Sequence, residues 1–261
     1  MRGLRPVLLH QRLAFVDPRR VDLRFAFPRD LRQRMMGATV TAVGRRAKYG
    51  LIDTDRGDTM IFHLGMSGRW RIDPREMLAH DHLLIATEAG RTLALNDPRR
   101  FGFVDLWRTD TIATYPAFAT IGPEPLAGTL SAAYLRRVLA GRRAPIKAML
   151  LDQRVVAGLG NIYVCEALHL ARIAPARAAG RISAARLEAL VAAIRQVLMA
   201  AIEAGGSSLR DFAAPDGQLG YFSKQFLVYG REGGACSCGA IVRRRTESGR
   251  STFWCPACQR G

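Results

Sequence analysis

The chain has 261 residues, 49% of them hydrophobic, with 39 Lys and Arg against 22 Asp and Glu and a formal net charge of +17. This length accommodates two domains with cores of their own, and the hydrophobic share excludes an intrinsically disordered chain. No run of 18 apolar residues is present and Met1-Arg-Gly-Leu-Arg-Pro6 has no apolar leader, so neither a membrane span nor a secretory signal is expected. The positive charge predicts a polyanionic partner, nucleic acid first, with a basic ribosomal or membrane-surface protein as the alternative.

Residues 1–11 read as a helix without a capping residue, Leu4, Val7 and Leu8 forming its apolar stripe. Seven short strands follow: Thr39–Arg45, Lys48–Thr54, Thr59–Leu64, Arg69–Ile72, His82–Thr87, Thr92–Asn96 and Phe103–Arg108. Turn signals at Asp55-Arg-Gly57-Asp, Glu88-Ala-Gly90-Arg and Asp97-Pro98 separate several of them, which predicts an antiparallel β-sandwich over residues 1–115. Residues 116–129, with Pro116, Pro123, Pro125, Gly122 and Gly128, read as a linker. Residues 130–224 turn helical. Ser131 caps a helix ending at Gly141, Pro145 opens Ile146–Asp152, and Asn161–Leu170 stops before Pro175. Ser183 then caps the longest helix, which carries Leu187, Leu190, Val191, Ile194, Leu198 and Ala201 on one face and ends at Gly205-Gly206. A glycine- and aromatic-rich loop, Asp216–Ser223, leads to a hairpin over 225–261. The fold class is α+β.

That hairpin holds Cys236-Ser-Cys238 and Cys255-Pro-Ala-Cys258, separated by sixteen residues that include Arg243, Arg244, Arg245 and Arg250. Two cysteine pairs at this separation suit one tetrahedral four-thiolate zinc site of the structural kind, with two disulfides or unrelated thiols as the alternative. The C-x-C spacing makes Cys236 the least secure ligand. Lysine is confined to Lys48, Lys147 and Lys224, every other basic residue being arginine. Since arginine does not give up its proton, these lysines are candidates for chemistry; coding bias is the bland explanation.

The ordered motifs His63-Leu-Gly-Met-Ser-Gly68, Asn96-Asp-Pro-Arg-Arg-Phe-Gly102, Ile121-Gly-Pro-Glu-Pro-Leu126, Gly158-Leu-Gly-Asn-Ile-Tyr163, Gly220-Tyr-Phe222 and Gly249-Arg-Ser-Thr-Phe-Trp-Cys255 resemble formamidopyrimidine-DNA glycosylase over the whole chain. The resemblance implies a β-sandwich, a helix–two-turn–helix domain and a zinc hairpin. It also implies base-excision repair of oxidised purines in duplex DNA by nucleotide flipping, N-glycosylase and β,δ-elimination lyase chemistry. Met66, Arg99 and Phe101 match residues that fill the gap left by the flipped nucleotide; Met66 and Phe101 as core residues are the alternative. His80, Arg99 and Arg143 (or its neighbour Arg142) match DNA-backbone contacts. Asn161 matches a phosphate contact at a helix start, compatible with a simple N-cap. Lys147 resembles a lysine reaching toward the lesion, against a solvated helix lysine. Tyr221 belongs to a lesion-capping loop. Lys48 matches the residue assigned to proton transfer in β-elimination, and Arg250 the hairpin arginine tied to δ-elimination, whose high pKa makes it first a phosphate clamp.

The family opens with Met-Pro-Glu-Leu-Pro-Glu, whose proline amine attacks the sugar C1′; this sequence opens differently, about ten residues into the pattern. Either the start lies upstream, or this is a short form that binds damaged or abasic DNA without efficient cleavage. The polypeptide as written is expected to be impaired. The competing functions are an endonuclease-eight-type glycosylase for oxidised pyrimidines and a non-catalytic zinc-hairpin DNA-binding protein. The expected setting is a bacterial cytoplasm, as a monomer on double-stranded DNA.

Overall fold

The computed structural model describes residues 1–206, 221–247 and 249–260. It resolves into two units, residues 1–119 and residues 120–206 with 221–247 and 249–260. In the first unit the described strands are β1 (Leu13–Pro18), β2 (Val40–Arg46), β3 (Tyr49–Thr54), β4 (Asp58–His63), β5 (Arg69–Ile72), β6 (Asp81–Thr87), β7 (Thr92–Asn96) and β8 (Phe103–Arg108). They form two four-stranded antiparallel sheets, ordered β1-β6-β7-β5 and β2-β3-β4-β8. Leu13, Val16, Leu83, Ile85, Leu93 and Leu95 of one sheet and Val40, Val43, Ile52, Met60, Val104 and Leu106 of the other share one buried cluster. Phe62 of β4 meets Trp70 of β5 edge to face across it, ring centroids 5.4 Å apart.

Each of the seven expected strands lies within one residue of its observed bounds, but two elements were not foreseen. A register shift between Leu13 and Phe15 in β1 places the inward residues Leu13 and Val16 three apart, a spacing that mimics a helix. The other is α2 (Leu31–Met35), too short to show a period. The expected helix over 1–11 is corrected to a single turn, α1 (Arg5–Leu8), because Leu9 is extended and His10 adopts φ 63. Leu4, Val7 and Leu8 are buried, as the stripe requires.

The second unit holds α3 (Ala132–Leu139), α4 (Ile146–Leu151), α5 (Asn161–Leu170) and α6 (Ala184–Glu203), followed by the ribbon of β9 (Arg243–Glu247) and β10 (Arg250–Trp254). Ser131 accepts from Tyr134 N at 3.1 Å and Ser183 from Arg186 N at 3.4 Å, so both serines cap their helices. The apolar faces of all four helices enter one core. Beneath the ribbon, Val228, Val242 and Phe253 pack against Cys165 of α5.

Candidate nucleic-acid interface and metal centre

Two turns of the sandwich unit, 64–68 after β4 and 97–102 before β8, are locked to each other through their backbones. Gly65 adopts φ 62, and a Cβ there would lie 2.6 Å from the Phe101 carbonyl carbon. A Cβ on Gly102 would lie 2.6 Å from the His63 carbonyl oxygen. Only glycine permits that approach. The fully buried Asp97 completes the lock, accepting from Ser67 Oγ at 2.7 Å and from Gly102 N at 2.8 Å. Ser67 Oγ in turn accepts from Arg99 N at 3.3 Å. On this rigid base Met66 and Phe101 are 71% and 46% exposed, and the Arg99 guanidinium lies 4.6 Å from the centre of the Phe101 ring. Neither Met66 nor Phe101 is a core residue. The arrangement presents a flexible apolar tip, a flat ring and a planar cation on one fixed support.

Lys48 is exposed in the two-residue turn between β2 and β3, where Ala47 takes φ 51, so it precedes the strand instead of opening it. Tyr49 follows it and pairs with His63, ring centroids 5.2 Å apart. Burial, and then the nearby Lys48 and Arg24 charges, hold His63 below the usual histidine pKa. Its Nδ1 accepts from Gly65 N at 3.0 Å, so His63 links the Lys48 turn to the Met66 turn. His80 is exposed and its carbonyl accepts from Asp97 N at 3.0 Å; His82 is buried with Nε2 3.0 Å from the Asp97 carbonyl. The roles of Asp97 and His63 were not read from the sequence, although both stand inside quoted motifs: a buried carboxylate that organises a turn leaves no periodic signature.

In the helical unit Arg143 is exposed, and Tyr221 is 61% exposed with Lys224 Nζ 5.1 Å from its ring centre. The loop that contains Tyr221, read as Asp216–Ser223, lies outside the described residues up to Gly220. The N-cap reading of Asn161 and the solvated reading of Lys147 need correction. Gly160, not Asn161, is the N-cap of α5; Asn161 is the first helical residue, and its Nδ2 donates to the Ser251 carbonyl at 2.8 Å. Lys147 does not sit in solvent. It is 2% exposed, and Nζ donates to Thr252 Oγ1 at 2.7 Å and to the Ser251 carbonyl at 3.2 Å. Desolvation lowers its pKa, countered by Cys165 and Glu247 and reinforced by Arg250 and Arg245. Thr252 Oγ1 donates in turn to Glu247 Oε2 at 2.6 Å. These groups brace β10, on which the exposed Arg250 lines a pocket of about 320 Å³ together with Lys147, Asp152 and Glu247.

The sulfurs of Cys236, Cys238, Cys255 and Cys258 lie within 4.8 Å of one another, with Cys238–Cys255 at 3.5 Å and Cys236–Cys258 at 3.8 Å. All four are free of disulfides. Cys258 is pushed up to about 12, first by sharing a hydrogen bond with Cys238 and then by burial. Burial opposes ionisation of Cys236 too, but donation from the Cys238 backbone, His169 and Cys255 outweighs it and brings Cys236 to about 5. So crowded a set cannot ionise together unless a cation neutralises it, and four soft sulfurs fit a metal ion with no open position. Cys236 belongs to the set despite its short knuckle.

Family models match at residues 1–104, the formamidopyrimidine-DNA glycosylase N-terminal domain, and at residues 121–213, the formamidopyrimidine-DNA glycosylase H2TH domain. The formamidopyrimidine-DNA glycosylase of Rhizorhabdus wittichii is 66% identical and that of Sphingopyxis alaskensis 62%, each over 260 residues, covering 100% of this chain and 96% of theirs. The expectation of an impaired short form finds no support in these matches. A Lactococcus lactis Fpg in complex with an abasic site containing DNA superimposes with a TM-score of 0.90 at 34% identity, covering 100% of this chain and 96% of that one. The MutM (Fpg) protein of Thermus thermophilus gives 0.89 at 39% identity, covering 99% and 95%. The fold, the motif turns and these matches agree, and the chain belongs to the formamidopyrimidine-DNA glycosylase family.

Proposed function

We propose that this protein excises oxidised purines, 8-oxoguanine and formamidopyrimidines, from duplex DNA and then cleaves the abasic strand by β- and δ-elimination. The observation that carries this reading is the pair of locked turns bearing Met66, Arg99 and Phe101. Flipping a nucleotide out of a duplex costs roughly a few kcal/mol. A ring and a thioether that enter the vacated stack offset that cost only if they arrive on a rigid support, and Arg99 can bond the orphaned base. His80 and Arg143 grip the phosphates, as do the N–H groups at the start of α5. Tyr221 belongs to the loop that covers the lesion.

The family reaction is opened by a proline amine that displaces the base from C1′ and leaves a Schiff base; no residue of this sequence is assigned to that step. Lys48, an exposed amine beside the His63–Tyr49 pair, moves the proton in β-elimination. Arg250 holds a phosphate beside the lesion through δ-elimination. Lys147 and Asn161 steady the ribbon that carries Arg250, while Lys147 faces the lesion from the pocket it lines with Arg250 and Asn161 stands at the phosphate-binding start of α5. One zinc ion on Cys236, Cys238, Cys255 and Cys258 keeps that ribbon stiff and takes no part in bond cleavage. Residues 1–115 serve as the glycosylase sandwich, 116–129 as linker, 130–224 as the helical DNA-binding domain and 225–261 as the zinc hairpin. The protein acts as a monomer on DNA in a bacterial cytoplasm.

The test is incubation of the full chain with duplexes that carry 8-oxoguanine opposite cytosine, thymine glycol, or an abasic site, with and without borohydride. Strand scission on the 8-oxoguanine duplex is expected, and any borohydride-trapped adduct identifies the amine that opens the reaction. Preference for thymine glycol would move the protein to the oxidised-pyrimidine branch, and binding without scission would make it a non-catalytic damage binder.

A further inference from the structure

His169 lies in the last turn of α5, buried, and has no task in the chemistry above. Its Nε2 is 3.4 Å from Cys236 Sγ, and its Nδ1 is buried with no hydrogen-bond partner among the described residues. These two facts locate the ring proton. A metal-bound thiolate has no hydrogen and can only accept, so Nε2 must be the donor. Nδ1 is then a bare lone pair. The opposite tautomer would strand an N–H in the interior, and orphaned buried N–H groups are the rarer of the two defects.

The sequence gives a reason for help at this sulfur. In the regular knuckle Cys255-Pro-Ala-Cys258, the Cys258 backbone N–H donates to Cys255 Sγ at 3.4 Å. In the short knuckle Cys236-Ser237-Cys238 the amide three residues on, Gly239 N, is drawn instead to the Cys236 carbonyl at 2.8 Å. Cys236 is left with the closer Cys238 amide, the Ser237 hydroxyl at 3.9 Å and the imidazole.

We infer that His169 is a positioning residue for the metal centre: its Nε2–H donates to the Cys236 thiolate and holds the first sulfur of the short knuckle in its ligating place. The metal site is therefore completed from helix α5 and not by the hairpin alone, and the inference rests on the zinc reading above. A ligand's outer partner of this kind changes metal affinity by about 10–100-fold.

The experiment compares the full chain with His169→Phe, which keeps a planar filler but no donor, and with His169→Gln, which keeps an N–H near the Nε2 position. Zinc content is measured by native mass spectrometry, zinc release by transfer to a chromophoric chelator, and sulfur ligation by the thiolate-to-metal absorption of the cobalt(II)-loaded protein. The full chain and His169→Gln are expected to hold one zinc and release it at rates within a few-fold of each other. His169→Phe is expected to release it about 10–100-fold faster with a displaced cobalt band. A His169→Phe protein that matches the full chain in both release and spectrum overturns the inference while leaving zinc binding intact. A full chain that binds no zinc overturns the metal reading itself. Should His169→Phe fail to fold, His169→Leu is compared with His169→Gln, and equal release from those two overturns the inference as well.

Discussion

Asp97 gathers a hydroxyl and a backbone amide on its carboxylate, and its carbonyl takes His82 Nε2 and Arg100 N. Exposed and buried members of the same two turns should therefore respond oppositely to substitution. Phe101→Ala should leave thermal stability within about 0.5 kcal/mol, as surface changes do. It should weaken binding to lesion DNA by about 1–3 kcal/mol, the worth of one aromatic–base stack. Asp97→Ala should cost about 1–3 kcal/mol of stability through the unpaired Ser67 and Gly102 donors, and lower excision with it; denaturant midpoints and single-turnover rates measure the two. His82 adds a pH dependence. Burial lowers its pKa, and the Asp97 carbonyl opposes this without overcoming it. The unfolded chain, with histidine near about 6.5, takes up the proton first. Stability is thus complete above about pH 6.5 and falls as pH drops below it, levelling once the folded pKa is passed. His63, lowered in the same sense, contributes over the same window. His82→Gln should flatten the fall in melting temperature between about pH 7 and 5, above the range in which carboxylates titrate.

Helix α5 is the element on which the ribbon depends. Glu166, buried in its middle, accepts from Leu227 N at 2.8 Å, Val228 N at 3.0 Å and Tyr229 N at 2.8 Å, which fixes the chain just before the first knuckle. Glu166→Ala strands three amides, so a loss of about 1–3 kcal/mol or more is expected, with amide exchange at 227–229 rising ahead of the sandwich strands. Lys147→Met replaces a buried cation with an apolar chain of similar length. It should loosen the segment around Ser251 and Thr252 in exchange experiments. Periodicity and capping made the strands and helices legible, since β3 alternates with Gly50, Ile52 and Thr54 buried and Ser131 and Ser183 stand where caps must. β1 was hidden because a bulge gave it a three-residue spacing. The ribbon contacts of Lys147 and Asn161 were hidden for a different reason: both lie at the start of a helix, where sequence alone cannot show that a ribbon from over a hundred or about ninety positions away, respectively, descends on them.

At the scale of the molecule, charge decides association. With a net charge of +17, affinity for DNA should fall linearly with salt on logarithmic axes, with a slope of about −0.9 for each phosphate neutralised. Arg143→Ala and Arg250→Ala should each reduce the slope by about 1 without changing lesion preference, in titrations by fluorescence anisotropy. The ribbon of β9 and β10 gives this charge a second consequence. Lys147 and Asn161 engage β10 at the Ser251 carbonyl, which leaves β9 as the edge of the two-stranded ribbon able to recruit a further strand. Arg243, Arg244 and Arg245 are consecutive and exposed on β9, so two copies of the ribbon that approach edge to edge meet like charges before a hydrogen bond can form. Arg244 pairs with Glu232 and Arg245 with Glu247, yet the strand keeps a net positive charge that holds copies apart, and neutral side chains at those three positions would leave its edge open to pairing.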